Sequence, residues 1–326
     1  MWLSIIAFLC VSVAVAGLSA PLPTFEEFVA KYGKTYPTAA EGELRRTVFQ
    51  ASLLRIKELN ARNETAGRNV FGVNTYSDRT PEEFKVFHSL KKRAAPQTPK
   101  KYDPNFQAKA SFPNAWDWRA HGAVTPIKNQ QQCGSCWAFS AVGSFEGAWF
   151  LAGHPLASLS EQEIVSCDPD DSGCDGGDPG TAYSWLVNRK SGYITSESDY
   201  PYTSGGGDTG YCRLPKPPVA QMYAHYDIAS SEQTMAAYLQ LHGPLSICVD
   251  ANAWQDYSGG ILRGCGMNVD HCVTAVGYNL NNNPPYWIVK NSWGSDWGYS
   301  GYIYIEYGRN ECDLNSEPRV PLVHAA

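Results

Sequence analysis

The sequence predicts an α+β protein in which a helical half precedes a β half. Helix start signals occur between residues 24 and 163, and runs of β-forming residues separated by Gly, Pro and Asn clusters follow beyond about residue 220. The chain has 326 residues, of which 43% are hydrophobic, so it can bury a sizeable core. At roughly 100–200 residues per domain, this length predicts about two domains, and no internal repeat divides the chain further.

The composition argues against several classes of protein. The 26 basic residues are outnumbered by 32 acidic ones, a formal net charge of −6, whereas nucleic-acid-binding proteins usually carry a basic surface. Glycine and proline number 29 and 21, too few for a collagen-like or disordered chain. The ten cysteines predict an oxidising compartment, because proteins of the reducing cytosol rarely hold so many.

The N-terminus is typical of a secretory signal. Residues 1–16 contain no charged side chain and end in the small-residue site Ala14-Val15-Ala16, so we predict a signal peptide over 1–16. A membrane anchor is the alternative, but the run is shorter than the roughly 20 residues that span a bilayer. No later stretch is long and apolar enough to predict a membrane span.

Charge and cysteine content change near residue 111. Residues 21–111 hold 16 Lys/Arg and 10 Asp/Glu, net +6, and no cysteine, whereas residues 112–326 hold 10 and 22, net −12, and nine cysteines. The junction contains Lys91-Lys92-Arg93 and two prolines, as exposed linkers do. We therefore interpret 17–111 as a pro-segment, with a glycosylation acceptor at Asn63, and 112–326 as the mature domain.

Capping signals and periodicity predict the individual elements. Pro-segment helix starts are predicted by the capping boxes Thr24-x-x-Glu27, Thr38-x-x-Glu41 and Thr80-Pro81-x-Glu83. One face of the middle helix holds Arg45, Phe49, Ser52, Ile56 and Asn60. In the mature domain we predict a helix over 135–153 and a second one capped by Ser160. Strands are predicted over 223–228, 245–250, 272–278, 286–290 and 302–307.

The strongest chemical signal is Gln130-x-x-Cys133-Gly134-Ser135-Cys136-Trp137. Cys136 begins a helical pattern, and the positive end of a helix dipole favours the thiolate, which is the reactive form of cysteine. A thiol nucleophile also needs a base and an orienting group. His271 can take the thiol proton, and the amide oxygen of Asn291 can orient the imidazole. Gln130 and the backbone N–H of Cys136 can donate hydrogen bonds to a developing oxyanion.

Each of these residues also has another interpretation. Cys133 and Cys136 could form a thioredoxin-like redox pair, although residues 124–132 lack the strand pattern that such a motif follows. Zinc binding would require a second close Cys or His pair, which the sequence lacks. His271 could be a structural histidine, and Gln130 could be a surface amide.

Together these residues resemble the papain family of cysteine peptidases, whose C-G-[SA]-C-[WY] signature matches residues 133–137. Two pro-segment motifs are similar to those of its cathepsin L-like branch. The first is Glu41-x3-Arg45-x2-Val48-Phe49-x2-Ser52-x3-Ile56-x3-Asn60, with Ser52 in place of the branch's Asn. The second is Gly72-x-Asn74-x-Tyr76-x-Asp78, with Tyr76 in place of Phe. The resemblance runs from about residue 25 to residue 320.

The resemblance implies a papain-like two-lobed fold, with an active-site cleft between a mainly helical lobe (about 112–220) and a β-barrel-like lobe (about 221–326). It implies a cysteine endopeptidase made as a secreted zymogen, because no occluding insertion of the carboxydipeptidase kind is evident. The mature enzyme would begin near Phe112-Pro113, after removal of the propeptide at acidic pH. A catalytically silent homologue is the alternative, although such proteins usually lose the nucleophile or the base.

The same resemblance implies partners and location. No cofactor and no metal are expected. The expected partners are protein and peptide substrates, the protein's own propeptide as an inhibitor, and cystatin-like inhibitors, with no nucleic acid and no membrane span. The enzyme would be a monomer of the secretory pathway, lysosomal or extracellular.

The family framework implies the disulfides Cys133–Cys174, Cys167–Cys212 and Cys265–Cys312. Cys248 and Cys272 remain, in β runs that the fold places side by side. A fourth disulfide between them is expected, and two free buried thiols are the alternative, because adjacent strands do not guarantee bridge geometry.

The resemblance also maps a substrate site. In this family the substrate's P2 side chain enters the S2 pocket, whose walls map here onto Asp178, Pro179, Cys248, Val269 and Cys272, with Glu317 at the far end. Gly177, the Asp270 backbone and Trp293 complete the mapped site. A carboxylate at Glu317 predicts that arginine is accepted beside leucine-like P2 residues. The alternative is that Glu317 points to solvent and Asp178 caps its own loop.

Overall fold

The computed structural model describes residues 22–62, 69–88, 102–103, 106 and 112–326. The predicted signal peptide over 1–16, the basic junction at 91–93 and the glycosylation acceptor at Asn63 lie outside these described residues. Among the described helices, none combines the length and apolar character that crossing a membrane requires.

The pro-segment forms three helices where the capping signals predict them. These are α1 (Phe25–Lys31), α2 (Ala39–Asn60) and α3 (Pro81–Phe84), and a 3-10 turn at Lys85–Phe87 extends α3. Thr24, Thr38 and Thr80 each accept a hydrogen bond from the third residue of their helix. The full reciprocal box forms at α1 and α3. At α2 the Glu41 carboxylate instead binds Arg45, 2.7 Å away.

The predicted face of α2 is the face that packs. Phe49, Ser52 and Ile56 are buried, and the Asn60 side chain exchanges two hydrogen bonds with the backbone of Phe71. Arg45 at the start of this face binds the Glu83 carboxylate through both terminal nitrogens. The contact holds α3 against α2 by a bidentate ion pair.

Four helices follow in the described part of the mature domain. They are α4 (Cys136–Leu151), α5 (Glu161–Cys167), α6 (Pro179–Lys190) and α7 (Glu232–His242). The predicted helix over 135–153 and the Ser160-capped helix correspond to α4 and α5. Helices α6 and α7 were not predicted, and α7 lies inside the half expected to be mainly β.

The strands form one sheet of nine. They are β1 (Ala115–Asp117), β2 (Tyr193–Thr195), β3 (Pro218–Asp227), β4 (Leu245–Val249), β5 (Ile261–Leu262), β6 (His271–Asn279), β7 (Tyr286–Lys290), β8 (Tyr302–Glu306) and β9 (Arg319–Val323). The spatial order is β2-β3-β9-β4-β6-β7-β8-β5, and β1 adds to β6. The five predicted strands correspond to β3, β4, β6, β7 and β8.

The sheet of the described residues is open rather than closed into a barrel, because its end strands β2 and β5 do not pair with each other. In the middle of the strand order, β4 and β9 are joined through only one residue pair, Ser246 with Arg319. The predicted two-lobed α+β architecture is confirmed, with a β lobe built on this open sheet.

Two hydrophobic cores mark the two lobes. The core of the helical lobe includes Trp137, Phe145, Ile164, Tyr183 and Leu186. The core of the β lobe includes Trp254, Trp287, Val289, Trp297 and Ile303. Six pro-segment residues join the second core: Ile56, Val70, Phe71, Tyr76, Phe84 and Phe87. The pro-segment therefore packs on the β lobe.

Helix α4 contacts both lobes. One side contributes Trp137 and Phe145 to the helical core. On the other side the Ser140 hydroxyl lies 2.7 Å from that of Ser246 and donates to the Val273 carbonyl, and Ser144 donates to the Pro244 carbonyl. These contacts fix the N-terminus of α4 relative to the start of β6.

Candidate active site

Cys136 is the first residue of α4, as the sequence predicts. Its N-cap, Ser135, has non-helical backbone angles, and the Ser135 hydroxyl lies 2.7 Å from that of Tyr202. Cys136 is fully buried and is the free cysteine of the described chain. The Cys133 thiol is bridged to Cys174, which rules out the redox pair between Cys133 and Cys136.

His271 opens β6 and lies between Asn291 and an aromatic wall. Its Nε2 is 2.8 Å from Asn291 Oδ1, the predicted orienting contact. The Trp293 ring stacks on the imidazole with centroids 4.7 Å apart. Within the described structure no hydrogen-bond partner reaches His271 Nδ1, so this nitrogen is available for proton transfer.

Gln130 is fully buried, so it is not a surface amide. Its Nε2 donates to the carbonyls of Cys133 and of Phe87, at 3.0 and 3.1 Å. Its Oε1 accepts from the Ser292 hydroxyl at 2.6 Å, which fixes the amide orientation. The predicted oxyanion donor is therefore preorganised, and a pro-segment carbonyl engages it.

Burial sets the charge state of the site. It raises the pKa of the Cys136 thiol to about 12, because neighbouring protein replaces the water that would solvate a thiolate. It lowers the pKa of His271 to about 3, although the hydrogen bond to Asn291 favours the imidazolium. In this pro-form both groups are neutral, so burial outweighs the helix N-terminus that was expected to favour the thiolate.

The end of the pro-segment reaches the same site through contacts that sequence reasoning missed. The Phe87 carbonyl also accepts from Trp293 Nε1 at 3.2 Å, and the Tyr76 hydroxyl donates to the Trp293 carbonyl. His88 Nδ1 lies 2.9 Å from Asp270 Oδ2, one residue before His271. No local pattern marks Phe87 or His88, because their partners lie far away in the sequence.

Several mapped substrate residues do lie together beside Cys136. Cys248 and Cys272 face each other across β4 and β6, are joined by a disulfide, and pack with Cys136 and Val269. Gly177 passes so close to the Trp137 ring that a Cβ there would meet it at 2.6 Å. Only glycine fits that position without a shift of the ring.

Asp178 and Glu317 share a partner that the sequence did not reveal. Asp178 is the N-cap of α6, with Oδ1 accepting from two backbone N–H groups, and it precedes the buried Pro179. Its Oδ2 lies 2.9 Å from Arg319, which also contacts Asp227 and Glu317. The Glu317 side chain is 44% exposed. Asp178 thus caps its helix, as the alternative interpretation expected.

All four expected disulfides are present, including Cys248–Cys272. Among the described residues, the one cluster with metal-ligand proximity is Cys265, Glu311 and Cys312. Its two sulfurs are bonded to each other, so they offer no thiolate to a metal.

Comparisons with known proteins agree with this geometry. A family model described as Papain family cysteine protease matches residues 112–322, and one described as Cathepsin propeptide inhibitor domain (I29) matches residues 25–84. Among solved structures, a recombinant stem bromelain precursor superposes with a TM-score of 0.80 at 32% identity, covering 92% of this chain and 97% of its own. Digestive procathepsin L 3 of Tenebrio molitor gives a TM-score of 0.79 at 33% identity, covering 91% of this chain and 97% of its own.

Curated relatives include a cysteine proteinase of Trypanosoma brucei brucei, 46% identical over 295 residues, which cover 89% of this chain and 65% of the relative. Cysteine proteinase A of Leishmania mexicana is 40% identical over 298 residues, which cover 90% of this chain and 83% of the relative. The chain thus spans about two thirds of the first relative's length and more of the second. The chain belongs to the papain family of cysteine proteases and carries a cathepsin-type propeptide inhibitor domain before the protease domain.

Proposed function

We propose that this protein is a cysteine endopeptidase made as a secreted zymogen. The observation that carries the proposal is the convergence of Gln130 Nε2 and Trp293 Nε1 on the Phe87 carbonyl. A pro-segment peptide group occupies the Gln130 donor that a substrate carbonyl would need, and the orienting Asn291–His271 contact lies in the same site. This arrangement fits an intact protease held inactive by its own chain.

The proposed chemistry follows from the named atoms. Once the cleft is open, His271 Nδ1 takes the Cys136 proton, and the thiolate attacks the substrate carbonyl carbon. Gln130 Nε2 and the Cys136 N–H stabilise the oxyanion. The imidazolium then gives its proton to the leaving amine, which leaves an acyl-enzyme thioester. Water attacks this thioester with His271 as base, which releases the acid and restores the thiol.

The pro-segment keeps the two reacting groups in their neutral forms. Phe84 packs edge-on against Trp293 at 5.0 Å, and Trp293 stacks on His271, so the pro-segment covers the wall of the imidazole site. Removal of this cover would admit water and relieve the burial that raises the thiol pKa and lowers the imidazole pKa. We propose that formation of the thiolate–imidazolium pair follows release.

Release at acidic pH would depend on contacts between pro-segment and mature domain. In the described part, these include the His88–Asp270 and Arg55–Asp256 ion pairs. Of the two acidic partners, Asp256 is the more deeply buried. Burial raises its pKa, so the pro-form takes up a proton there more readily than the open form, and this carboxyl favours binding as pH falls.

Selection at P2 is proposed to rest on Glu317. Both oxygens of Asp178 are already engaged by α6 and Arg319, so Asp178 is not free to meet a substrate guanidinium. Glu317 is 44% exposed and touches Arg319 through one oxygen at 3.4 Å. It can therefore turn toward an arginine at P2, or away when a leucine-like side chain enters.

The proposed setting is the secretory pathway, lysosomal or extracellular. It is supported by the apolar residues 1–16 and by four disulfides, which persist in oxidising compartments. Protein and peptide substrates and cystatin-like inhibitors would be the partners of a monomeric enzyme with residues 112–326 as its mature domain.

Peptide-library cleavage by the acid-treated chain tests the activity and its P2 selection together. Cleavage within peptides, blocked by an epoxide inhibitor that labels Cys136, is the expected result. Absence of both labelling and cleavage after removal of the pro-segment would instead support the catalytically silent homologue.

A further inference from the structure

The helical lobe has an open pocket of about 370 Å³ behind the loop that carries Gln130. Its walls include the rings of Phe139 and Tyr202, which pack edge to face at 5.0 Å, and the side chains of Glu161 and Glu197. None of its lining residues belongs to the mapped S2 pocket. The pocket is therefore separate from the substrate cleft.

Glu161 and Glu197 face each other without a donor between them. Glu161 is 1% exposed, and neither its Oε2 nor that of Glu197 has a hydrogen-bond donor in the described structure. Their other oxygens are satisfied, by Lys128 Nζ at 2.7 Å and by the Tyr202 N–H at 2.9 Å. One proton placed between the two oxygens would satisfy both, because a protonated carboxyl donates and a carboxylate accepts.

The buried carboxyls around Glu161 and Glu197 outnumber the ammonium groups that could neutralise them. The carboxyls are Glu146 on α4, Glu161 on α5 and Glu197 after β2, against the ammonium groups of Lys128 and of Lys290 on β7. Lys128 spends its three donors on Glu146, the Leu159 carbonyl and Glu161. Lys128 therefore has no proton left for the facing oxygens, and three carboxyls stand against two ammonium groups.

The pKa shifts of both carboxyls favour such a shared proton at neutral pH. Burial raises the pKa of Glu161 to about 8, with the nearby Glu146 and Glu197 carboxylates adding to the effect and Lys128 opposing it. Burial also raises the pKa of Glu197. A cation that reaches both oxygens would replace this proton, because it supplies the same charge together with its own donors.

We propose that this pocket binds a small organic ammonium ion, whose N–H groups bridge Glu161 and Glu197 and whose apolar part packs on Phe139 and Tyr202. The ligand enters as R–NH₃⁺, and the proton shared by the carboxyls leaves to solvent, so the charge of the site is conserved. A calcium ion fits less well, because it takes six to eight oxygen ligands and the pocket offers two unsatisfied ones.

The pocket is coupled to the active site through one side chain. The Tyr202 hydroxyl donates to the Gln130 carbonyl at 3.0 Å and contacts the Ser135 hydroxyl at the N-cap of α4. A ligand packed on Tyr202 therefore abuts the residue that holds both the oxyanion-hole loop and the start of the helix bearing Cys136.

Calorimetric titration of the full-length chain with benzylammonium at pH 7 tests the proposal. Comparing buffers of different ionisation enthalpy counts the protons exchanged. We expect one saturable site and the release of about one proton per ligand bound. In Glu197→Gln the proton release is lost and affinity falls by about tenfold or more. Glu317→Gln, which removes the carboxylate proposed for S2, is the matched control and leaves both quantities unchanged.

Affinity measured on the wild-type chain gives a second, variant-free readout. It should rise between pH 6 and pH 8, by up to about tenfold per pH unit, because the shared proton competes with the ligand. Absence of saturable binding would show that water alone fills the pocket and would overturn the proposal. Binding that survives Glu197→Gln but is lost in Glu317→Gln would assign the ligand to S2 and overturn it equally.

Discussion

The two lobes differ in how their cores are closed. The helical-lobe core, around Trp137 and Tyr183, contains residues of the mature domain alone. The β-lobe core includes six residues of the pro-segment, among them Phe71 and Phe84. The helical-lobe core is therefore formed without pro-segment residues, whereas the β lobe shares its core with the pro-segment.

This difference explains how one segment can act on a site built from both lobes. The helical lobe supplies Cys136, and the β lobe supplies His271 and Asn291. By packing on the β lobe, the pro-segment places its Phe87 carbonyl and His88 next to the imidazole side of the pair. The pro-segment contacts therefore lie beside the imidazole and on the Gln130 amide.

The largest expected effect tests the division of chemistry between the lobes. Cys136→Ser and His271→Ala should each reduce turnover by about 10⁴-fold or more, because they remove the nucleophile and the base. Asn291→Ala should leave measurable activity, since it only loosens the imidazole. Peptide hydrolysis by processed variants with matched thermal unfolding is the measurement. Wild-type turnover in Cys136→Ser would refute the assignment.

A truncation in the shared core sharpens the comparison. Phe84 is 1% exposed and packs on Tyr76 and Trp293, so Phe84→Ala should cost about 3–5 kcal/mol of packing. The pro-form should then hydrolyse a small substrate at pH 7, and hydrogen exchange should rise in the β lobe before the helical lobe. Leu54→Ala, at a position 65% exposed on α2, is the control. If the Phe84→Ala pro-form hydrolyses the small substrate no faster than the wild-type pro-form, the result would argue against a shared core.

The ion pair between the pro-segment and the β lobe gives a pH-dependent test. Arg55 Nη2 lies 3.0 Å from Asp256 Oδ1. At pH 7 Asp256→Asn should slow pro-form conversion modestly, because burial raises the pKa of Asp256 and the closed pro-form therefore favours the neutral side chain. As pH falls through the raised pKa of Asp256, the wild-type carboxyl also becomes neutral, and the two rates should converge. A ratio that stays constant from pH 7 to pH 4, in low and high salt, would exclude this account.

The smallest expected effect concerns the far end of the substrate pocket. Glu317→Ala should lower the ratio of Arg-P2 to Leu-P2 cleavage by roughly two- to fivefold, because a half-exposed ion pair contributes little. Asp208→Ala, an exposed carboxylate elsewhere in the helical lobe, serves as control. If the ratio is unchanged by Glu317→Ala, Glu317 has no role in the pocket.

The sequence predicted those features that depend on interactions between residues close together in the chain. The caps at Thr24, Thr80 and Ser160 and the start of α4 at Cys136 depend on neighbours three or four residues away. The Cys–His–Asn set was proposed from residue chemistry and supported by the family resemblance, which also implied three of the disulfides; Cys248–Cys272 was expected because those two cysteines remained in neighbouring β runs. The four disulfides are present, and His271 and Asn291 are in contact.

The contacts that escaped prediction are long-range pairings between residues of ordinary type. Arg319 meets Asp178 across 141 positions, and His88 meets Asp270 across 182. Strand β9, which contains Pro321, and helix α7 carry weak local signals and depend on packing against the sheet. The carboxyl pair of Glu161 and Glu197 is of the same kind, since nothing near either residue in the sequence marks the other.

Helix α4 has a consequence for how the cleft can move. Its Ser140 and Ser144 are bonded to the β lobe, and its Glu146 accepts from Thr125 and Lys128 while lying 4.0 Å from Lys290. Because α4 is bonded to both lobes, it holds them together rigidly and does not act as a hinge between them. Opening the cleft by rotating one lobe would break buried hydrogen bonds and separate buried charges. The contacts of α4 therefore constrain how far one lobe can rotate against the other.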